Sequence, residues 1–369
     1  MKKSLMIFAA LSCLLSCNQD IITPSEFYVT VDKTTKFKAG EPVRFILNGD
    51  SDYYMFFSGE QGHEYRYKDR TLIDVSDVNA AELILETWPD YTTAERPCPI
   101  TFWVSKTFDG LASYDDTETN RALMKAEVES GMAGWEQLDW TCGPLGEKTT
   151  TVHDISDYLV HFCLAIHYEC AYLMPDGKSK WGQCSFNMSG DLKMTLKGLP
   201  DREFSFADMD RSFVFMAEDE DGYPYEWSYK NYYYMFDYYI QTYTDENRVE
   251  HRTHVPSAGL SDEDKAKLTH RNSIGGVAFG WNQGDIRFVG ASANEHNFTV
   301  DIWVIYSPIQ LNSIDKDSGE VVKNMENDLH EYNYTYEEPG NYVATFHGFN
   351  VTADKRYDTI VEIPVTITD

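Results

Sequence analysis

The chain has 369 residues, of which 31 are basic and 60 acidic, so its formal net charge at pH 7 is −29. Such an acidic surface repels nucleic acid, anionic lipid headgroups and polyanions, which excludes a nucleic-acid-binding role and favours neutral or cationic partners. Aromatic residues make up 14% of the chain, which supplies ample hydrophobic core, and the length allows two or three domains.

The N-terminal segment has the pattern of a lipoprotein signal. Two lysines precede an apolar run over residues 5–15, which is too short to span a bilayer as a stable helix. Ser16 and Cys17 follow directly, and a small residue before a cysteine at this place resembles the lipobox of bacterial lipoproteins. The resemblance implies cleavage before Cys17 and lipid attachment to it, so residues 1–17 are the expected signal. The alternative is an ordinary secretory signal.

Residues 27–106 have the pattern of a first β-sandwich, of Ig-like or PKD-like type. Short alternations of apolar and polar residues are separated by turn signals, a spacing that is typical of sandwich strands. The predicted strand segments are residues 27–31, 43–47, 53–57, 65–67, 83–88 and 100–104.

Residues 107–311 are predicted as a middle domain of jelly-roll or galactose-binding-like type, because many strands surround an aromatic core. Residues 120–130 are expected to form one helix with a weak apolar face. Residues 162–168 alternate two sets of apolar side chains and predict a buried strand. Ser261 is the expected N-cap of a short solvated helix within residues 260–268.

A hairpin with an Asp-Gly turn is expected between residues 168–174 and 180–186. A five-residue loop would place Cys170 opposite Cys184, whereas a two- or four-residue loop shifts the register by one, so a disulfide here stays open. An odd number of cysteines follows the signal, which leaves at least one thiol unpaired. These cysteines are Cys98, Cys142, Cys163, Cys170 and Cys184.

Residues 223–243 depart furthest from average composition, with nine tyrosines in this one segment. Tyrosine has a flat apolar face and a hydrogen-bonding tip, which suits a wet surface that binds sugars. Two interpretations stay open: a binding platform, or a strand pair that is buried between two layers. On the first interpretation the candidate ligand-binding residues are Tyr225, Trp227, Tyr229, Tyr232 and Tyr234, with Trp181 beside the hairpin. The tryptophans expected in hydrophobic cores are Trp135, Trp140, Trp281 and Trp303.

Residues 312–369 are predicted as a small C-terminal sandwich. Tyrosines alternate over residues 332–336, a Glu-Pro-Gly turn follows, and residues 360–367 form the expected last strand. Residues 334–343 resemble the end of a polycystic-kidney-disease (PKD) domain, which implies a PKD-like fold for this part of the chain.

Eight further short motifs, spread along the chain, resemble one family of domains. They are residues 39–45, 57–60, 63–67, 154–157, 164–168, 286–290, 303–305 and 308–311. Together they resemble a family of domains of unknown function in Bacteroidota lipoproteins, whose members tend to be encoded in polysaccharide utilisation loci. The resemblance covers nearly the whole mature chain and implies a surface glycan-binding type of protein with no known catalytic residue. Residues 201–270 are longer than the family's pattern and include the tyrosine-rich segment.

The sequence contains no motif of a known reaction: no nucleophile elbow, no HExxH pair, no P-loop and no dinucleotide fingerprint. The acidic run over residues 218–221 lacks the spacing of a calcium loop and is expected to be a solvated turn. The isolated His63, His161 and His167 are expected to be hydrogen-bonded core or rim residues. We therefore predict no catalytic residue, no metal site and no cofactor.

The sequence as a whole predicts an all-β chain of tandem β-sandwich domains, lipid-anchored in the outer membrane at the cell surface. The expected function is non-catalytic binding of a neutral polysaccharide or oligosaccharide, as an accessory to glycan uptake and beside an outer-membrane glycan transporter complex. The alternative is a structural or adhesive lipoprotein whose partner is another protein.

Overall fold

The computed structural model describes residues 26–31, 37–89, 100–112, 117–170, 185–216, 227–230, 233–256, 259–272, 276–279, 286–289, 300–352 and 354–369. Strands dominate this part of the chain, which confirms the prediction of an all-β fold. Among the described residues, none of the helices has both the length and the apolar character that a membrane crossing requires.

The described strands number 23 and are connected by short helices and turns. In chain order the strands are β1 (Glu26–Val31), β2 (Phe37–Lys38), β3 (Pro42–Asp50), β4 (Tyr53–Phe57), β5 (Val78–Pro89), β6 (Ile100–Ser105), β7 (Trp135–Gln137), β8 (Thr149–Asp154), β9 (Cys163–Cys170), β10 (Ser185–Leu196), β11 (Arg202–Ser205), β12 (Arg211–Phe215), β13 (Trp227–Lys230), β14 (Tyr233–Thr244), β15 (Glu250–Pro256), β16 (Thr269–Asn272), β17 (Gly276–Phe279), β18 (Ile286–Val289), β19 (Val300–Tyr306), β20 (Glu320–Lys323), β21 (Glu331–Thr335), β22 (Gly340–Val351) and β23 (Arg356–Thr368). The α-helices are α1 (Thr117–Glu129) and α2 (Asp262–Lys265), and 3₁₀ turns occupy Tyr65–Tyr67, Val75–Asp77 and Ser156–Tyr158.

The chain divides into two compact units. The terminal unit combines Met1–Leu72 with Ile314–Asp369, and the inserted unit is Ile73–Ser313. The chain therefore passes between the units twice, once on each side of the insertion.

The terminal unit is a β-sandwich of a three-stranded sheet, ordered β1-β3-β21, and a five-stranded sheet, ordered β2-β23-β22-β4-β20. Alternate residues of each strand point inward, as the apolar–polar alternation in the sequence requires. Phe45 and Phe346 meet edge to face in its core, with ring centroids 5.2 Å apart. Strands from both ends of the chain therefore share one hydrophobic core.

This arrangement corrects the predicted division into domains at 27–106, 107–311 and 312–369. The predicted first and third domains supply strands of one sandwich, because β3 pairs with β21, and β4 pairs with both β20 and β22. Strands β5 and β6, which we assigned to the first domain, belong to sheets of the inserted unit. Alternation along a strand shows which face is buried, but it does not show which strand lies alongside.

The segment between β4 and the inserted unit is a loop, and a buried carboxylate is one of the groups that anchor it. Asp317, with a side chain only 2% exposed, accepts a hydrogen bond from the backbone N–H of Glu64 at 2.9 Å and contacts Nη2 of Arg70 at 3.3 Å. Gly59 adopts φ +82°, and a Cβ there would lie 2.6 Å from the backbone of Val343, so only glycine fits. The strand predicted over residues 65–67 is wrong, since this segment forms a 3₁₀ turn.

The inserted unit contains a ten-stranded and a five-stranded sheet. The longer sheet follows the order β13-β14-β17-β18-β10-β5-β8, with β11 beside β10 and both β15 and β16 beside β14. The shorter sheet follows the order β12-β19-β9-β6-β7. Large side chains in or directly beside the strands of both sheets are fully buried, among them Phe102, Phe162, Tyr168, Phe186, Phe206 and Phe288.

Strand β9 confirms the predicted buried strand. Leu164 and Ile166 are fully buried on one face, and Cys163 and Ala165 are fully buried on the other. The helix predicted over residues 120–130 is present as α1, and its Met124 packs in the cluster that covers the second face. Ser261 caps α2 as predicted, because its Oγ accepts a hydrogen bond from the N–H of Asp264 at 3.2 Å.

The described ends of the predicted hairpin, residues 168–170 and 185–186, do not pair with each other. Strand β9 ends at Cys170 in the five-stranded sheet, whereas β10 begins at Ser185 in the ten-stranded sheet. Its turn, together with Cys184, lies outside the described residues. Cys142 is disulfide-bonded and Cys163 is a free, buried thiol, in agreement with at least one unpaired cysteine.

Candidate ligand-binding site

One face of the five-stranded sheet of the inserted unit carries a mixed aromatic and polar surface. We call it the tryptophan patch, and it consists of Thr101, Trp103, His167, Glu169, Asp301 and Trp303. These residues come from three neighbouring strands, β6, β9 and β19. They alternate with residues that point into the core, so all six belong to the opposite face of the sheet.

The strand register brings these side chains together. His167 lies opposite Trp303 on one side and opposite Thr101 on the other. Glu169 lies opposite Asp301 one step further along the same strands. Side chains at directly opposite positions of antiparallel strands are near neighbours, so the patch is a contiguous surface.

Ring stacking and hydrogen bonds fix the patch. The imidazole of His167 stacks on the indole of Trp303, with centroids 4.1 Å apart and planes 8° from parallel. Its Nε2 lies 2.8 Å from Oδ1 of Asp301, so the imidazole donates a hydrogen bond to the carboxylate. Trp103 donates its indole N–H to Oγ1 of Thr101 at 2.9 Å. The side chains are thus held in place before any ligand arrives.

Helix α1 covers only part of this sheet face. Met124 packs with Cys163, Val214 and Ile305 around Trp303, which is 3% exposed. Beyond the helix, the side chains of His167 and Asp301 are 19% and 28% exposed, and Glu169 is exposed. Trp103 is partly exposed as well. The uncovered part of the sheet therefore offers an indole edge and several polar groups to solvent.

The two carboxylates give the patch its hydrogen-bonding character. Asp301 and Glu169 are like charges at opposite positions, which is an unfavourable cross-strand pair. A ligand that donates hydroxyl groups would satisfy their free oxygen atoms without adding charge. No group of three or more His, Cys, Asp or Glu residues with metal-binding geometry occurs among the residues that the structure describes.

The free thiol beside the patch has the properties of a core residue. Burial raises the pKa of Cys163 to about 12, so the thiol is protonated at neutral pH. Its Sγ also donates a hydrogen bond to the carbonyl of Tyr306 at 3.3 Å. A thiol in this state is a poor nucleophile.

Part of the predicted tyrosine-rich site lies on described strands. Trp227 and Tyr229 belong to β13, and their register partners on β14 are Phe236 and Tyr234. Directly opposite positions belong to one face of a sheet, so the register places these four positions on a common face. Tyr225, Tyr232, Trp181 and the proposed lipidation site Cys17 lie outside the described residues.

The tryptophan patch was not singled out by the sequence. We predicted Trp135 and Trp303 as core residues, and both are buried. We predicted His167 as a hydrogen-bonded core or rim residue, and its contact with Asp301 fits that prediction. The sequence did contain a signal. Thr101 and Trp103, and likewise His167 and Glu169, stand two positions apart on strands whose other face is apolar. Trp140, also predicted as core, is partly buried against Phe102 and Phe186, and Trp281 lies outside the described residues.

A comparison with known protein families finds a match for the first third of the chain. Residues 16–127 match the family described as Domain of unknown function (DUF5017). The match includes β1 to β4 of the terminal unit and β5, β6 and most of α1 of the inserted unit, so it contains Thr101 and Trp103 of the patch. No curated protein and no solved structure matches the chain.

Proposed function

We propose that this protein is a non-catalytic lipoprotein, anchored to the outer membrane at the cell surface, that binds a neutral polysaccharide or oligosaccharide. It would act as an accessory to glycan uptake, beside an outer-membrane glycan transporter complex. The observation that supports this proposal best is the tryptophan patch, where a partly exposed indole borders groups that exchange hydrogen bonds.

The chemistry of sugars matches this patch. A sugar ring has an apolar C–H face, which packs on an aromatic ring, and a rim of hydroxyl groups. Trp103 would supply the aromatic surface, and the carboxylates of Glu169 and Asp301 would accept hydrogen bonds from hydroxyls. The net charge of −29 disfavours polyanionic glycans, so a neutral glycan is the better partner.

The first test removes the indole at the edge of the patch. We expect Trp103→Ala to weaken glycan retention about tenfold, because a lost stacking contact of about 1.4 kcal/mol corresponds to that factor. Retention is measured as depletion from solution by immobilised neutral plant polysaccharides and mucins, and then as mobility in glycan-containing native gels. Thermal unfolding of the same sample shows whether the variant is folded.

Two further variants make this test specific. Tyr357→Ala removes an exposed aromatic ring from the terminal unit and should leave retention unchanged. Trp227→Ala tests the tyrosine-rich segment, where a binding role predicts weaker retention with little change in stability, and a core role predicts the reverse. A folded Trp103→Ala protein that is retained by every glycan as strongly as the wild type would exclude the patch as the binding site.

The lipid anchor is tested separately. We expect Cys17→Ala to move the protein from the membrane to the soluble fraction, because the proposed acylation site is then absent. Membranes are washed with alkaline carbonate and the two fractions are compared by immunoblotting. Persistence of the variant in washed membranes would contradict anchoring through Cys17.

A second candidate function is binding to another protein. On the outer face of the five-stranded sheet of the terminal unit, Ile360 and Val321 are 47% and 57% exposed, and the strand register places His347 and Met55 between them. Exposed apolar residues of this kind mark protein contact surfaces when they form a contiguous patch. Wild-type protein that depletes no neutral glycan would favour this function over glycan binding.

A further inference from the structure

A second concave site lies in the inserted unit, at the outermost described strand of the five-stranded sheet. Here a cavity of about 570 Å³ opens beside β12 and the end of β19. Its volume falls within the range of about 300–1,000 Å³ that is usual for small-ligand sites. None of its lining residues belongs to the tryptophan patch.

The lining of this cavity has an apolar part and a polar part. The apolar part includes Leu111, Met209 and Phe213. The polar part consists of Asp210, Arg211, Ser212 and Ser307. Small-ligand sites combine these two features, since apolar walls exclude water and a few polar groups orient the ligand.

Hydrogen bonds and strand pairing hold the polar part in position. The backbone N–H of Ser307 donates to the carbonyl of Asp210 at 2.8 Å. The guanidinium of Arg211 donates from Nη1 to the carbonyl of Phe206 at 2.8 Å, and Arg211 is the register partner of the fully buried Tyr306. A preformed site loses less conformational freedom on binding, which favours affinity for a small ligand.

The polar groups indicate the class of ligand. The exposed carboxylate of Asp210 accepts hydrogen bonds, and the hydroxyls of Ser212 and Ser307 both donate and accept them. A neutral polyhydroxylated molecule meets all of these requirements. An acidic sugar would place its own negative charge near Asp210 on a protein whose net charge is already −29.

We propose that this cavity binds the end of a short neutral oligosaccharide, at a site separate from the tryptophan patch. The inference rests on the proposed function. Strand β19 connects the two sites, because Trp303 belongs to the patch and Ser307 lines the cavity four residues later, about 13 Å along an extended strand. The patch would hold a chain along its length, and the cavity would hold a chain end.

The test compares short oligosaccharides with polymers. Maltotetraose, cellotetraose, xylotetraose and the acidic digalacturonate are titrated into the full-length protein by calorimetry, and polymer retention is measured in parallel. We expect one neutral tetrasaccharide to bind, and Asp210→Ala to weaken this binding at least tenfold with polymer retention unchanged. Asp208→Ala, which removes an exposed carboxylate two residues earlier, should bind as the wild type does.

A second variant controls for the case in which Asp210→Ala misfolds. Ser307→Ala removes one hydroxyl and keeps the backbone bond to Asp210, so it should weaken tetrasaccharide binding several-fold in a folded protein. Unchanged binding by both variants, or binding of digalacturonate alone, would overturn the cavity proposal. Retention of polymers without binding of any tetrasaccharide would overturn the cavity proposal and leave the patch as the site. A wild-type protein that neither retains any polymer nor binds any tetrasaccharide would overturn the proposed function, and the cavity proposal with it.

Discussion

A fragment of residues 27–106 should remain unfolded, whereas a fragment of residues 73–313 should fold by itself. The shorter fragment keeps the pairing of β1 with β3, but it lacks β21, the other partner of β3. It also lacks β20 and β22, which are both partners of β4. It also carries β5 and β6, whose partners all lie in the inserted unit. Its apolar faces would stay exposed, and the hydrophobic term that dominates folding would be missing. The longer fragment contains every described strand of its two sheets.

The measurement is circular dichroism together with urea unfolding of each fragment. A third protein serves as the control, in which residues 26–72 are joined to residues 314–369 by a short Gly-Ser linker. In the terminal unit, the N–H of Ile314 donates to the carbonyl of Thr71 at 3.0 Å, so the two ends to be joined are already adjacent. We expect this control to unfold cooperatively. Cooperative unfolding of the 27–106 fragment would instead support the three-domain division that the sequence suggested.

Asp317→Ala should destabilise the terminal unit by about 3 kcal/mol, the lower part of the range for breaking a buried charge pair. The substitution leaves the N–H of Glu64 without its acceptor and Arg70 without its carboxylate. We place the effect at the lower part of the range because the side chain of Arg70 is 19% exposed, and solvent weakens the charge interaction. The loop between β4 and the insertion should loosen first around Glu64 and Arg70, while the backbone hydrogen bond from Ser318 to Gly62 remains.

The destabilisation is measured from urea unfolding, followed by the near-ultraviolet signal of the tyrosines. Asp315→Ala is the matched control, because Asp315 is an exposed acid only two residues away. We expect the control to unfold within about 0.5 kcal/mol of the wild type, as exposed substitutions usually do. Equal stability of the two variants would show that Asp317 does not hold the loop.

Local features of this fold could be predicted from the sequence, because they depend on nearby residues. The alternation over residues 162–168 predicted a buried strand, and β9 is buried on both faces from Cys163 to Ile166. The serine at the start of α2 predicted its N-cap, which depends on a residue three positions later. The 3₁₀ turn at Tyr65–Tyr67 escaped prediction, since two tyrosines at alternate positions are too short a pattern to separate a strand from a turn.

Long-range features could not be predicted, because they depend on which strands pair. Arg44 and Glu331 form an ion pair across β3 and β21 although 287 positions separate them. The tryptophan patch depends on the same kind of information. His167 and Trp303 become neighbours only through the pairing of β9 with β19. A histidine, an aspartate and two tryptophans that are far apart in sequence give no sign that they will meet.

The insertion of one unit into the other sets an order of folding. Closing a flexible loop of roughly 240 residues, the length of Ile73–Ser313, costs about 5 kcal/mol of chain entropy. In the folded inserted unit, the N–H of Ile73 donates to the carbonyl of Asn312 at 2.8 Å, so its two ends are already side by side. Once this unit has formed, about 40 residues remain between β3 and β21, and the entropic cost of bringing these strands together falls to about 3 kcal/mol. The inserted unit thus acts as an intramolecular template, and a substitution that slows its folding should also slow the folding of the terminal unit.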